Sequence, residues 1–575
     1  MRFYSPLKKF FKPAFAPYGR SNCIPIKCRE RNYPHRPGPI MLRILNTGSL
    51  KRAGYKLVEI FVKINDTNNG EVSNPVSGRK ENRNLLVSIM ETFMITIRII
   101  VITSVASIVC ILYVITRFIR TDSFPDVLLK AMEFLGPTFI KFGQWVSTRR
   151  DLFPEDICNT LSQLQRYTSA HSWIYTKSLL KATYGEEWRN LFVKVFNEHP
   201  LGSGCCAQVY KAWINFDVSV KISEDARVSP LVEIAEYFCI GHLIGFVDKL
   251  IEKHNKEEEG QTYSRKIHPV AVKVLHPGIE EQLKRDLTIM HVLAKCVTYM
   301  FPSVRWLSLA DCVSEFSQLM ESQVNMELEA FNLKRFSKNF SSTKNVIFPY
   351  PYQELTHRKI LVESYHEGLP ISDYLSGKNR GLQERLAKIG VTTVLKMIFK
   401  DNFVHCDLHP GNILVQESHE SGDTDSISGF RKIWRFNHED AGPRLVILDC
   451  GLVASLNERC RKNLRDVFRS VAMGKGELAA EYIMRHSIHL TPDPLGFKKT
   501  MGKIVETHLR DRVKLKNVNV STVVAELFSA MIRYQVKQDG SFSSVILSMA
   551  VIEGLGRSLD PDIDIVTEVL PYVRN

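Results

Sequence analysis

Two residues five apart, Asp407 and Asn412 in "FVHCDLHPGNILV" (Phe403–Val415), have the types and spacing of a loop that transfers phosphate. In a two-lobed phosphotransferase an Asp orients the acceptor hydroxyl, and an Asn later in that loop ligates Mg2+. A second signal is "RLVILDCGLV", where Asp449 and Gly451 follow an apolar run. A carboxylate there bridges metal to the β- and γ-phosphates, and the glycine lets the chain turn away. The third is a strand lysine that grips phosphate. "VAVK" ends at Lys273 and "VSVK" at Lys221; Lys273 is the better candidate, because small Ala271 leaves room for an adenine ring to stack. The fourth is "GSGCCAQV". Gly202 and Gly204, on either side of Ser203, can bring backbone N–H groups near phosphate, and Val209 keeps the place of the valine in a kinase glycine loop. These residues call for ATP and Mg2+, with Asp407 as the catalytic group.

The elements around them have the right order. Periodicity is helical from Asp122 to about Gly185, then strand-like in "HPLGSGCCAQVYKAWI" and in "PVAVKVLHPG". Between these strands an amphipathic helix is expected at Leu231–Lys253. Helices follow to Asn339, then a strand at "KILVESY", a helix from Gln383 to Asn402, and the loop itself. A polar insertion, 417–442, precedes the Asp449 strand, and the rest is helical. A few-stranded lobe followed by a helical lobe is the order of a kinase-like α+β fold.

At these motifs the chain resembles the UbiB/aarF-domain atypical kinases of bacteria, plastids and mitochondria, from Phe124 to Leu456 and on into the helical tail. "KFGQ" (Lys141, Phe142, Gly143, Gln144) is similar to the family's K-x-G-Q signature, and "VAVKVLHPG", "HCDLHPGNIL" and "LDCG" complete the likeness. Lys141 and Gln144, three apart, are expected on one helix face, and Gly143 permits close approach. The resemblance implies that this helix caps the acceptor side of the nucleotide site, where a protein substrate would dock. It also implies Glu329 as the helix partner of Lys273, with Glu327, on another face, as the alternative. The family's alanine-rich loop is rewritten: Gly202, Ser203 and Gly204 replace alanines, and Ala207 replaces a glycine. Its E-x-D motif falls at Gln323-Val324-Asn325, where amides replace both carboxylates and can still hydrogen-bond Lys141.

Composition bounds the setting. A chain of 575 residues, 44% hydrophobic and 24% charged, is ordinary for a folded protein. The net charge of +15 suggests a nucleic-acid binder until its distribution is read. Residues 1–58 hold thirteen Lys or Arg and one acid, so +12 belongs to a leader and nucleic acid is disfavoured. An acid-poor, basic start with scattered Phe and Tyr suits a mitochondrial presequence. The expected layout is presequence and leader 1–64, linker 65–98, transmembrane helix 99–116, K-x-G-Q extension 122–198, N-lobe 199–382 and C-lobe 383–575. The eighteen uncharged residues Ile99–Thr116 suffice to cross a bilayer core of about 30 Å. Arg98 on one side and Arg117 and Arg120 on the other leave the orientation open. The twelve cysteines show no zinc spacing.

Cys406 stands where protein kinases carry the Arg that grips a phosphorylated activation loop, and no Ala-Pro-Glu follows Asp449. Both features argue against a kinase of peptide segments. The expectation is an ATP- and Mg2+-dependent kinase or ATPase, single-pass in the mitochondrial inner membrane. The resemblance implies support of ubiquinone biosynthesis or lipid metabolism, with membrane lipids and proteins of those pathways as partners. The alternatives are a catalytically weak ATP-binding regulator and a small-molecule or lipid kinase.

Overall fold

Buried and half-buried residues alternate along β3 (Ala207–Asn215), the period-two pattern of a strand with one face in a core. The computed structural model of the chain describes residues 85–119, 123–165, 170–195, 199–224, 267–300, 306–375, 379–417, 442–487, 490–509 and 520–563, with a few positions beside them. The leader 1–64, the first part of the linker, all but Val232 of the helix expected at 231–253 and nearly all of the 417–442 insertion lie outside the described residues.

Helices α1 (Leu85–Ile119), α2 (Phe124–Leu135), α3 (Pro137–Thr148), α4 (Glu155–Leu161), α5 (Trp173–Tyr184) and α6 (Trp188–Leu191) come first. Then β1 (Phe192–Val195), β2 (Gly202–Ser203), β3 and β4 (Ile267–Leu275) begin a sheet. Helices α7 (Ile279–Met300), α8 (Leu309–Gln323) and α9 (Met326–Asn339) and the short β5 (Val346–Ile347) lead to β6 (Ile360–Ser364), which closes it. The order is β1-β3-β4-β6, antiparallel throughout, with β2 paired to β3.

The pleat divides this sheet in two. Tyr210, Ala212, Ile214, Val270, Val272, Val274, Ile360 and Val362 form one face and pack with Tyr175, Leu179 and Tyr184 of α5 and Trp188 and Leu191 of α6. Val209, Ala271, Lys273, Leu361 and Glu363, in register across β3, β4 and β6, share the other face. Lys221 lies in no strand and is exposed.

A second sheet, β5-β10-β9-β7, uses β7 (Leu369–Pro370), β9 (Ile413–Gln416) and β10 (Arg444–Ile447), while β8 (Val404–His405) pairs with β11 (Val453–Ala454). Gly368 stands where the chain passes from β6 to β7. A Cβ there would lie 2.9 Å from the Val415 carbonyl oxygen, so only glycine fits this close approach. Helix α10 (Arg380–Leu395) continues through a π-helical turn to Asp401. The tail is α11 (Glu458–Ala472), α12 (Gly476–Arg485), α13 (Pro494–Leu509), α14 (Val520–Arg533) and α15 (Gly540–Leu559).

The linker expectation needs correction at its end, because residues 85–98 are the first turns of α1. The uncharged run continues this helix without a breaker. Its apolar stretch, Ile95–Thr116, has mean hydropathy 2.6 and is long and apolar enough to cross a membrane. Arg98 is more than a flanking charge: its Nε and Nη2 each lie 2.7 Å from an oxygen of fully buried Asp286 on α7, and Nη2 also donates to the Leu135 carbonyl. Tyr113 meets Phe124 edge-on at 4.8 Å, so α2 lies alongside α1. Helix α15 passes the same length and hydropathy test, but most of it is buried, packed on α10.

Candidate functional site

Lys273 projects from β4 on the sheet face opposite the core. Its Nζ lies 2.9 Å from both carboxylate oxygens of Glu329 and 2.8 Å from Asp449 Oδ1. Glu329 sits in the first turn of α9 and is buried, whereas Glu327 is exposed and faces elsewhere. The local sequence explains the placement. Asn325 is the N-cap of α9, and its Oδ1 accepts from the backbone N–H groups of Glu327 and Leu328 at 3.1 and 3.2 Å. Such a cap is worth about 1 kcal/mol. It begins the helix at the residue that turns Glu329 inward.

Two carboxylates therefore share one ammonium. Burial raises Glu329 to about 7, with Asp449 adding to the rise and Lys273 opposing it. Burial would also raise Asp449, but Lys273, and then Lys141, hold it well below the usual carboxylate range. Lys273 itself is raised: its own burial is outweighed by Asp449 and Glu329. Asp449 keeps the charge at neutral pH. It does so at φ 54°, a left-handed conformation that Asp tolerates better than most residues. Gly451 shows no positive φ, so the sharp turn belongs to Asp449 and not to the glycine.

The loop and the Asp449 turn are stitched together by backbone. Cys406 N–H donates to the Leu452 carbonyl, and Leu448 N–H to the Asn412 carbonyl. Asn332 of α9 holds the Cys450 carbonyl at 3.0 Å. Within the loop, Asn412 Nδ2 donates to the Asp407 carbonyl at 2.9 Å, which leaves Oδ1 without a protein donor among the described residues. His405, fully buried, has no role in the sequence reading, and the structure makes it a brace. Its Nε2 donates to the Leu448 carbonyl at 3.2 Å and its Nδ1 accepts from Asp407 N–H at 3.2 Å. Burial lowers its pKa, with Asp407 opposing, so it stays neutral and holds the backbone of Asp407. Cys406 turns to Ser548 of α15 and the Val404 carbonyl, and burial pushes its thiol up to about 12.

The K-x-G-Q residues separate. Lys141 reaches the site: its burial is outweighed by Cys205, Asp407, Cys206 and Asp449, which raise its pKa. Gln144 is engaged by a different partner. Its amide donates to the Leu164 carbonyl at 3.0 Å. A Cβ on Gly143 would fall 2.3 Å from Leu164 Cδ1, so this glycine serves packing of α3 on the segment after α4. The two amides of the rewritten E-x-D motif differ from expectation as well. Asn325 is committed to its cap, and Gln323 Oε1 is buried without a partner, so no bond from either to Lys141 is observed. Phe142 and Trp145 pack on Phe316 of α8, with ring centroids 5.2 and 6.0 Å apart.

The glycine turn is a hairpin tip, with Gly202 paired to Val209 and Gly204 N–H donating to the Ala207 carbonyl at 2.9 Å. Gly202 faces open space, and the Ser203 hydroxyl is buried with no partner. An orphaned hydroxyl beside two side-chain-free residues suits a phosphate. Cys205 and Cys206 at the tip are free thiols, as are the other described cysteines. Ala271 is buried in the same face as Lys273. For a metal, Asp449 and Asn412 would supply two oxygen ligands, which suits Mg2+, an ion held by one or two protein oxygens plus phosphates.

Residues 260–483 match the ABC1 atypical kinase-like domain, and residues 501–564 match the UbiB helical domain. The chain is 32% identical over 472 residues to a mitochondrial ABC1 family protein of Schizosaccharomyces pombe, covering 78% of this chain and 65% of that protein. It is 30% identical over 483 residues to a mitochondrial ABC1 family protein of Saccharomyces cerevisiae, covering 78% and 67%. A probable protein kinase UbiB of Histophilus somni is 25% identical over 460 residues, covering 79% and 72%. The chain thus spans just under two thirds of the length of the fission-yeast relative.

Proposed function

Since this chain belongs to the UbiB/ABC1 atypical kinase family, we propose that it is an ATP- and Mg2+-dependent kinase or ATPase acting at a mitochondrial membrane. The observation that carries the reading is the Lys273–Glu329–Asp449 constellation beside Asp407 and Asn412. Lys273, held by Glu329, grips phosphate, and Asp407, braced by His405, orients the acceptor or a water. Asp449 and Asn412 would hold Mg2+, which when bound neutralises charge on the phosphates. Gly202, Ser203 and Gly204 close over the phosphates, and Lys141 caps the site from α3. Residues 199–382 then form the nucleotide-facing lobe and 383–575 the acceptor-facing lobe.

The setting is read from three supports. The two fungal relatives are mitochondrial proteins, the first 58 residues are strongly basic, and α1 is long and apolar enough for a single pass. We extend this to the inner membrane and to support of ubiquinone biosynthesis or related lipid metabolism, with membrane lipids and enzymes of those pathways as partners. "KFGQWVSTRRDLFPED" and "GSGCCAQVYKA" look most like the mitochondrial aarF-domain-containing kinase 2 of animals. A second reading, an ATP-binding regulator with little turnover, is favoured by one observation: Gln323 and Asn325 bring no carboxylate to Lys141.

The two readings separate in one assay. ADP release is measured with and without inner-membrane-like anionic liposomes on wild type and Asp407→Asn. Lipid-stimulated release that falls at least ~10²-fold in the variant is expected of general-base and positioning loss. Nucleotide-dependent thermal stabilisation without turnover on any membrane would support the regulator instead.

A further inference from the structure

We propose that Glu363 recognises the base of the bound nucleotide, its carboxyl oxygen accepting a hydrogen bond from the exocyclic 6-amino group of adenine. The inference rests on the ATP reading above. Glu363 lies on β6 directly across from Ala271, two residues along from Leu361, which faces Lys273. Directly opposed residues in a sheet share a face and hold their Cβ atoms about 5 Å apart. Glu363 therefore stands beside the surface on which a base would lie, on the face that carries Lys273. The other face of the same strand, Ile360 and Val362, is fully committed to the core.

The chemistry of the position is unusual for a structural residue. Among the described residues the Glu363 carboxyl has no ion pair and no side-chain hydrogen bond. The charged groups that face it are Glu329 on α9, Lys273 on β4 and Asp449 after β10. Burial raises it to about 8, Glu329 and Asp449 add to the rise, and Lys273 opposes it. Near neutral pH it is a carboxylic acid, so it adds no net charge to the wall of the pocket. Glu363 is half-buried, so its carboxyl keeps an accessible acceptor at the wall of the pocket. A ligand that donates a hydrogen bond can meet it there. Adenine's 6-amino group is such a donor, and small Ala271 opposite leaves room for the ring.

The test compares binding of ATP and of purine riboside triphosphate, which lacks only the 6-amino group, in the presence of Mg2+. Wild type should bind ATP at least ~10-fold more tightly than the analogue, the scale of one lost hydrogen bond. Glu363→Leu should bind the two alike, and Glu363→Gln, whose amide oxygen still accepts, should keep the preference. Thermal melting of each variant without nucleotide shows that the fold is intact. Equal binding of both nucleotides by wild type, or a preference that survives in Glu363→Leu, overturns the assignment. Failure of wild type to bind either nucleotide overturns the ATP reading itself.

Discussion

Asp449→Asn is expected to lower ADP release at least ~10²-fold while leaving the unliganded fold intact. Asp449 sits at φ 54°, where asparagine is tolerated as readily as aspartate, so the turn should persist. Lys273 keeps both 2.9 Å contacts to Glu329 and stays paired. What disappears is the one carboxylate whose charge the site protects: Lys273 and Lys141 together keep Asp449 ionised despite its burial. Losing a preorganised charge at a reacting centre typically costs ~10²–10³ in rate. Circular dichroism should show an unchanged spectrum and a melting temperature within a few degrees of wild type. Retention of wild-type turnover would remove Asp449 from the chemistry.

The largest loss of stability is expected at a distance from the nucleotide. Arg149, at the end of the helix that carries Lys141, is 1% exposed and pairs with equally buried Asp151 through Nε and Nη2, at 2.8 and 2.9 Å. Its Nη1 reaches Glu315 of α8 at 2.5 Å, and Ser543 of α15 donates to Asp151 at 3.0 Å. The guanidinium also lies over the Trp145 ring, 5.4 Å from its centroid. One side chain thus ties α3 to α8 and to α15. Arg149→Met leaves Asp151 buried and uncompensated, at a cost of about 3–5 kcal/mol. The melting temperature should fall by several degrees, and adding Asp151→Asn should recover part of the loss, because the stranded charge is then gone. A melt unchanged by Arg149→Met would show that this knot is not what holds α3 in place.

The candidate loops were legible because each chemistry-bearing residue sits within a few residues of its own structural frame. Asp407 with Asn412, and Asp449 after its strand, are local patterns, and Lys273 is distinguished from Lys221 by the strand around it. The failures are non-local or depend on competition for a group. Asn325 reads as a partner for Lys141, yet two orphan N–H groups at the start of α9 claim its side chain first. Gln144 reads as a face-mate of Lys141, yet the Leu164 carbonyl, twenty residues on, draws it away. The expected linker ran fourteen residues too far, because the span was bounded by its flanking charge at Arg98, whereas the helix carries Arg98 within it. Glu363 and His405 carry no local signature. One depends on cross-strand register and the other on a carbonyl forty-three residues away.

Nucleotide binding is the property the site must show first. Calorimetric titration of ATP into the purified chain, with and without Mg2+, should show saturable one-site binding that tightens when Mg2+ is present and weakens in Lys273→Met. No saturable binding under either condition, or binding indifferent to Lys273→Met, would contradict the site described here.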